Sequence, residues 1–194
     1  MYKIPKLKVV KQDYRMQFSK KLDEDYFDRV IKQYPNVILD IFHKALEEDS
    51  VELEKLESTY FRLENEKKYL DFIEEVFNEN DNRCYVNIDF QNFDIPFILE
   101  QINSMDLIDK HLFLYQVEEF KEVRDTHFII EDINLLKIFM KGILRESLRV
   151  DLYFPKKSLL LFSNFDLSLP LVFKNNEDME YYKLIAQKND LYFR

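Results

Sequence analysis

Asp89 closes an alternating apolar segment, and Glu119 and Lys121 flank Phe120 just after another apolar run, 111–117. Carboxylates on neighbouring strands can hold a divalent cation through oxygen ligands. A lysine ammonium beside them can then stabilise charge that develops on a scissile group. Such triplets also arise freely in a chain with 37 acids and 34% charged residues, and Glu66-Lys67-Lys68 is a second one. The competing reading is a solvated charged face.

The layout of Asp89 with Glu119-Phe120-Lys121 resembles that of restriction-type nuclease sites, a resemblance that covers three residues and implies metal-dependent hydrolysis. Other catalytic groups are isolated. His43, His111 and His127 stand far apart, with no HExxH or Cys-His spacing, so a zinc site would need distant segments brought together. Cys84, beside Tyr85 and Val86, is the single cysteine. It reads as a small core residue, fits a reducing compartment and excludes an internal disulfide. The single glycine, Gly142, lies inside 134–147, a stretch that reads as helix interior. Phosphate-cradling loops, dinucleotide fingerprints and nucleophile elbows each need several glycines. Tight binding of ATP, GTP or NAD is therefore not expected, and neither is any cofactor or resident metal.

Charge is the remaining signal. The formal net charge is −9. Residues 1–22 carry Lys3, Lys6, Lys8, Lys11, Arg15, Lys20 and Lys21 against Asp13, a local +6. Residues 47–81 carry thirteen acids against Lys55, Arg62, Lys67 and Lys68, a local −9. Such asymmetry implies either a charged interaction face or pairing between the two segments. Tyr2, Tyr14 and Phe18 interleave with the basic residues and could stack bases. The acidic remainder repels phosphate, so nucleic acid is not the expected partner. The expected partner is a protein, basic in charge, met by Glu47, Glu48, Asp49, Glu52, Glu54 and Glu57.

These residues need elements to position them. Residues 1–22 read as a basic extended arm or edge strand, with Leu7 and Val9 alternating with Lys6 and Lys8 after Pro5. Residues 23–80 read as about three helices. Tyr26, Phe27, Val30, Ile31 and Tyr34 mark the first, which Pro35 ends. Val37, Ile38, Ile41, Phe42, Ala45 and Leu46 recur at three and four and predict the second. Asp49 with Glu52 resembles a capping box for a long third, in which Leu56, Tyr60, Leu63, Leu70 and Phe77 form a heptad seam. Leu53, Ile73 and Val76 widen that stripe, which favours packing of Leu56, Leu63 and Leu70 onto the body of one chain over a coiled coil. Asn78 to Asn82 is a polar loop and the best domain boundary.

The remainder, 84–194, reads as an α+β region that can pack with the rest as one domain. Strands are expected at 84–90, 111–117 and 128–130. Asp94 can cap a short helix with Pro96 in its first turn, and Asp132 a longer one reaching about Leu148. An antiparallel meander follows at 150–154, 158–163 and 167–173. Leu167, Leu169, Leu171 and Phe173 share a face, and Pro170 marks an edge strand or a bulge. Asn175 or Asn176 can cap a closing helix with Tyr181, Leu184 and Ile185 inward, and Leu191–Phe193 can return as a short strand. The fold class is α+β, a helical N-terminal half followed by a mixed half.

With two alanines and one glycine, the chain is poor in residues with GC-rich codons. That points to an AT-rich genome, bacterial or phage. No signal peptide is visible, and the longest apolar runs fall far short of the roughly 20 residues that span a bilayer. A cytoplasmic location is expected. The sequence therefore favours a non-enzymatic protein-binding module, such as a toxin-neutralising immunity protein or a phage-encoded inhibitor. The alternatives are a metal-dependent nuclease or hydrolase and a structural oligomer zipped by the long helix.

Overall fold

The computed structural model describes residues 4–11, 13–47 and 50–194. Among these the chain is α+β, with seven α-helices and one eight-stranded, wholly antiparallel sheet. The arm supplies β1 (Lys8–Val9) and a 3-10 turn (Tyr14–Gln17), before α1 (Tyr26–Gln33) and β2 (Asn36–Asp40). Two helices follow, α2 (Val51–Leu56) and α3 (Thr59–Glu79), then β3 (Cys84–Asn87). After a 3-10 turn (Phe90–Asn92) come α4 (Ile95–Asn103), α5 (Leu107–Phe120), β4 (His127–Ile130) and α6 (Ile133–Leu144). The meander is β5 (Leu152–Phe154), β6 (Leu159–Leu161) and β7 (Leu169–Phe173), closed by α7 (Asn176–Lys188) and β8 (Tyr192–Phe193).

The sheet order is β1-β4-β3-β5-β6-β7-β2-β8, so the arm, the helical region and the C-terminal region all contribute strands to one sheet. Its central strands are covered on both faces. Leu152, Phe154, Leu159, Leu161, Leu169, Leu171 and Phe173 face a core that also takes in Phe72, Val76, Leu136 and Phe139 from α3 and α6. Tyr153, Leu160 and Val172 point the other way, against Tyr14, Phe18, Tyr26 and Val30. That two-sided burial is why β6 and β7 read as near-continuous apolar runs and not as alternating ones.

Several elements differ from the sequence expectation. Residues 36–40 form a strand, where helical recurrence predicted a helix. A short run such as Val37-Ile38-Leu39 fits either period, and its β-branched residues together with Pro35 favour the strand. Residues 111–117 belong to a helix, α5, in which Phe113, Gln116, Val117 and Phe120 are buried at helical spacing. Its start is signalled by Asp106, whose side chain accepts from Asp109 N at 2.9 Å. The long third helix is two helices. Ser50 caps α2 through Glu52 N, and Ser58 starts α3 by accepting from Phe61 N at 3.4 Å. Asp49, the expected cap, lies outside the described residues. The buried stripe of α3 is Asn65, Glu66, Tyr69, Phe72, Ile73, Val76 and Phe77. Leu56 is buried, but Tyr60 is 76% and Leu63 49% exposed. The heptad seam is therefore not the packing face, because the larger rings at Tyr69 and Phe72 turn the helix. In α7, Tyr182, Ile185 and Ala186 are buried and Leu184 is exposed.

Pro170 sits in an interior strand, between β6 and β2. Its carbonyl accepts from Phe162 N at 2.9 Å. Proline returns no N–H to Phe162, so the ladder gives up one reciprocal bond there, just past the end of β6. The 78–82 loop is stitched into the fold and is no linker. Asn80 is 1% exposed and binds both Val76 and the 156–157 turn.

Left-handed backbone occurs here without glycine, at Asp81, Asn82, Glu146, Asp166, Leu167 and Asp190. Asp and Asn tolerate this region best. Glu146 does not, yet it occupies the position after α6 where glycine is preferred: Glu146 N bonds Ile143 O and Ser147 N bonds Gly142 O. Gly142 serves a different need. A Cβ there would lie 2.8 Å from Leu148 Cβ. Gly142→Ala should gain about 1 kcal/mol of helix propensity and lose more than that, about 1–3 kcal/mol, to overpacking. A lowered denaturation midpoint at unchanged slope is the expected result.

Candidate functional site

The acidic corner is made by α2 and the start of α3. Ser50 Oγ donates to Glu52 Oε2 at 2.9 Å. That hydrogen bond is the main cause that holds the Glu52 carboxyl below its ordinary range, so it stays ionised. Glu47, Glu54, Glu57 and Glu64 are exposed and make no ion pair among the described residues. Glu48 and Asp49 lie outside those residues. Exposed Val51, Tyr60 and Leu63 stand among these acids. The corner therefore offers apolar side chains with a negative rim, as in the centre and surround of a protein interface.

Beside it is a recess of about 490 Å³ whose walls include Glu57, Leu63 and Leu144. Two arginines at its base are fully engaged. Arg145 makes a forked pair with the nearly buried Glu66, at 2.7 and 2.8 Å. Arg62 reaches Glu146 at 2.5 Å, Asp166 at 3.2 Å and the Leu56 carbonyl. Other acids of 47–81 are paired too: Glu74 with Lys137, Glu75 with Lys188, and Asp81 with Lys156. Among the described acids of 47–81, those without an ion pair are thus Glu47, Glu52, Glu54, Glu57 and Glu64 at the α2–α3 corner and Glu79 at the far end of α3.

Among the described residues the basic arm pairs with acids elsewhere in the chain, but not with that acidic segment. Lys6 binds Glu119 and Lys8 binds Glu131. Gln116 Oε1 accepts from Leu7 N at 3.0 Å, and Gln116 Nε2 donates to the Pro5 carbonyl. Of the interleaved aromatics, Tyr14 and Phe18 are buried against the sheet, and Tyr2 lies outside the described residues. Lys8 on this edge strand and Lys6 just before it satisfy Glu131, next to β4, and Glu119 of α5, and protect the edge.

Asp89, Glu119 and Lys121 each have a local partner. Asp89 caps the 3-10 turn, accepting from Gln91 N at 3.0 Å and Asn92 Nδ2 at 2.8 Å. Glu119 takes Lys6, and Lys121 takes Glu118 at 2.8 Å. Glu119 lies on α5 and Lys121 just beyond it; neither follows a strand, as the sequence suggested. Among the described residues no group of three or more His, Cys, Asp or Glu is placed to hold a metal ion.

Cys84 is fully buried, and desolvation pushes its thiol well above the ordinary range, which removes nucleophilic thiolate. His127 Nε2 stands 3.0 Å from Asp13 Oδ2 at an angle that makes no hydrogen bond. Asp151, near Asp13 and Arg15, is pushed up to about 6, chiefly by desolvation. This polar cluster, which sequence spacing could not reveal, ties the arm to the sheet, and Tyr14 Oη adds a bond to the Asp151 carbonyl. No helix of the described residues is long and apolar enough to cross a membrane. No known protein family, characterised protein or solved structure matches the chain.

Proposed function

We propose that this chain is a non-enzymatic, cytoplasmic protein-binding module that neutralises a basic partner, in the manner of a bacterial immunity protein or a phage-encoded inhibitor. The observation that carries this reading is the α2–α3 corner. There Glu47, Glu54, Glu57 and Glu64 make no ion pair among the described residues while Val51, Tyr60 and Leu63 stay exposed. Elsewhere in 47–81, lysines and arginines of the C-terminal half take up much of the acidic charge. A toxin that attacks nucleic acid presents a basic surface, and an acidic inhibitor is drawn to it along the field. Aromatic and aliphatic side chains at the centre of such a contact supply most of its affinity. The hydrolase reading draws less support, since Asp89, Glu119 and Lys121 are each engaged separately.

Affinity capture on the tagged chain, from the source organism, tests this reading. A basic protein should be recovered by the wild type and lost with Tyr60→Ala/Leu63→Ala, which leaves the buried face of α3 untouched. Recovery of the same partner at equal yield by both baits would contradict the reading.

A further inference from the structure

The turn that follows β1 closes over a cluster of ionisable groups with more carboxylate than cation. Asp13 starts the turn and takes the Arg15 guanidinium in a fork, with Nη2 donating to Oδ2 at 2.7 Å and Nε to Oδ1 at 3.0 Å. The same Oδ2 faces Nε2 of His127, on β4, at 3.0 Å, and that nitrogen makes no hydrogen bond. A second carboxylate, Asp151, lies just before β5. Among the described residues no hydrogen bond reaches it; only its main-chain carbonyl is used, by Tyr14 Oη at 2.9 Å. One guanidinium therefore stands near two carboxylates and is committed to the first. The Tyr14 ring, 3% exposed, packs over this site. It stacks on Tyr153 with centroids 5.3 Å apart and meets His127 edge-on at 6.3 Å.

We propose that Asp13, His127 and Asp151 form a proton-operated latch, which holds the 13–18 turn on the sheet when protonated and lets it open more often when deprotonated. An ionised Asp151 is a desolvated charge with no partner of its own, and opening of the turn lets water reach it. Burial accordingly pushes its carboxyl from 3.8 up to about 6. The stability this gives the closed turn is complete below about 3.8 and is lost as pH rises through about 6. His127 acts with the same sign, because only a protonated imidazole is attracted to the Asp13 carboxylate. Asp13 stays ionised above its ordinary range. Burial pushes it up, but the Arg15 hydrogen bonds and the nearby imidazole outweigh this and hold it lower. The other titratable groups packed around the site are Tyr14 of the turn, Tyr26 of α1, Cys84 and Tyr85 of β3, and Tyr153 of β5. Burial raises Tyr14, Tyr26, Cys84 and Tyr153, so these four take no charge between acid and neutral pH. The inference does not rest on the proposed function.

Hydrogen exchange of the full chain from about pH 5 to about pH 8, corrected for intrinsic rates, tests it, since local opening is what such exchange reads. The reporters are the amides of Phe18 and Ser19, both bonded to the Arg15 carbonyl. Amides inside α6 are the reference for opening of the whole chain. In the wild type the opening constant of the turn should rise about tenfold or more across this range, and that of α6 should change less. Asp151→Asn should remove most of the rise, and Asp151→Asn/His127→Gln all of it. An opening constant that is the same at both ends of the range overturns the inference. So does a rise matched in α6, which would make the effect global, and so does a rise that survives in the double variant. The first two outcomes are read on the wild type alone, so they decide the matter if Asp151→Asn fails to fold.

Discussion

Asn80→Ala should cost about 3 kcal/mol of folding stability, a large fraction of what a domain of this size has to lose. Asn80 makes four hydrogen bonds from a site that is 1% exposed. Its amide donates to the Val76 carbonyl at 2.8 Å and to Tyr182 Oη at 2.7 Å. Its carbonyl accepts from the backbone N–H of Lys156 and of Lys157, both at 3.0 Å. Alanine removes all four and leaves two donors of the β5–β6 turn without an acceptor. The C-terminus of α3, the meander and α7 would lose one shared tie. Tyr182→Phe is the control. It removes only the hydroxyl, which accepts from Asn80 and donates to the Lys157 carbonyl at 2.8 Å, and should cost less, about 1–2 kcal/mol. Urea titration of the three chains ranks them; equal midpoints for Asn80→Ala and wild type would refute the assignment.

Arg145→Met should be nearly as damaging, about 3 kcal/mol, for an electrostatic reason. Glu66 is nearly buried, and its carboxylate is held by the forked guanidinium of Arg145. Removing one partner of such a pair leaves a desolvated charge without compensation, whereas replacing both by apolar groups of similar volume can be close to neutral. The double variant Glu66→Met/Arg145→Met should therefore recover most of the loss. Arg145 also donates to the Ser104 carbonyl at the end of α4, so recovery is expected to be incomplete. A double variant no more stable than Arg145→Met would show that the pair matters through packing rather than charge.

Much of the architecture was legible in the sequence where two signals agreed. Asp94 and Asp132 with the apolar runs behind them give α4 and α6, and Asn175 gives α7. The meander follows from its turns at 155–157 and 164–166. Where one signal stood alone it misled. Val37-Ile38-Leu39 satisfies helical and extended patterns alike, and only its partners β7 and β8 decide. Leu56, Leu63 and Leu70 make a tidy seam, but Ser58 breaks it and bulkier rings turn α3 away from it. Gly142 lies inside a helix, as its surroundings in the sequence suggest, and what requires it there is close approach to Leu148. The acidic corner was visible as composition, yet which acids stay unpaired depends on cations as far as 113 residues away, such as Lys188, and on Arg145. No local pattern encodes that. The Asp13–His127 contact and the Gln116 bonds to the arm are likewise long-range.

The central claim, that the α2–α3 corner receives a basic protein, is tested most directly by association kinetics. On-rates of the captured partner would be measured at two salt concentrations for the wild type and for Glu54→Lys/Glu57→Lys. Both positions are exposed, so stability should stay within about half a kcal/mol. The wild-type on-rate should fall steeply as salt rises, because exposed charges act over a Debye length of about 10 Å at 0.1 M. At low salt the double variant should associate about tenfold more slowly or worse, with dissociation changed less. An on-rate that ignores both salt and the reversal of Glu54 and Glu57 would contradict the account.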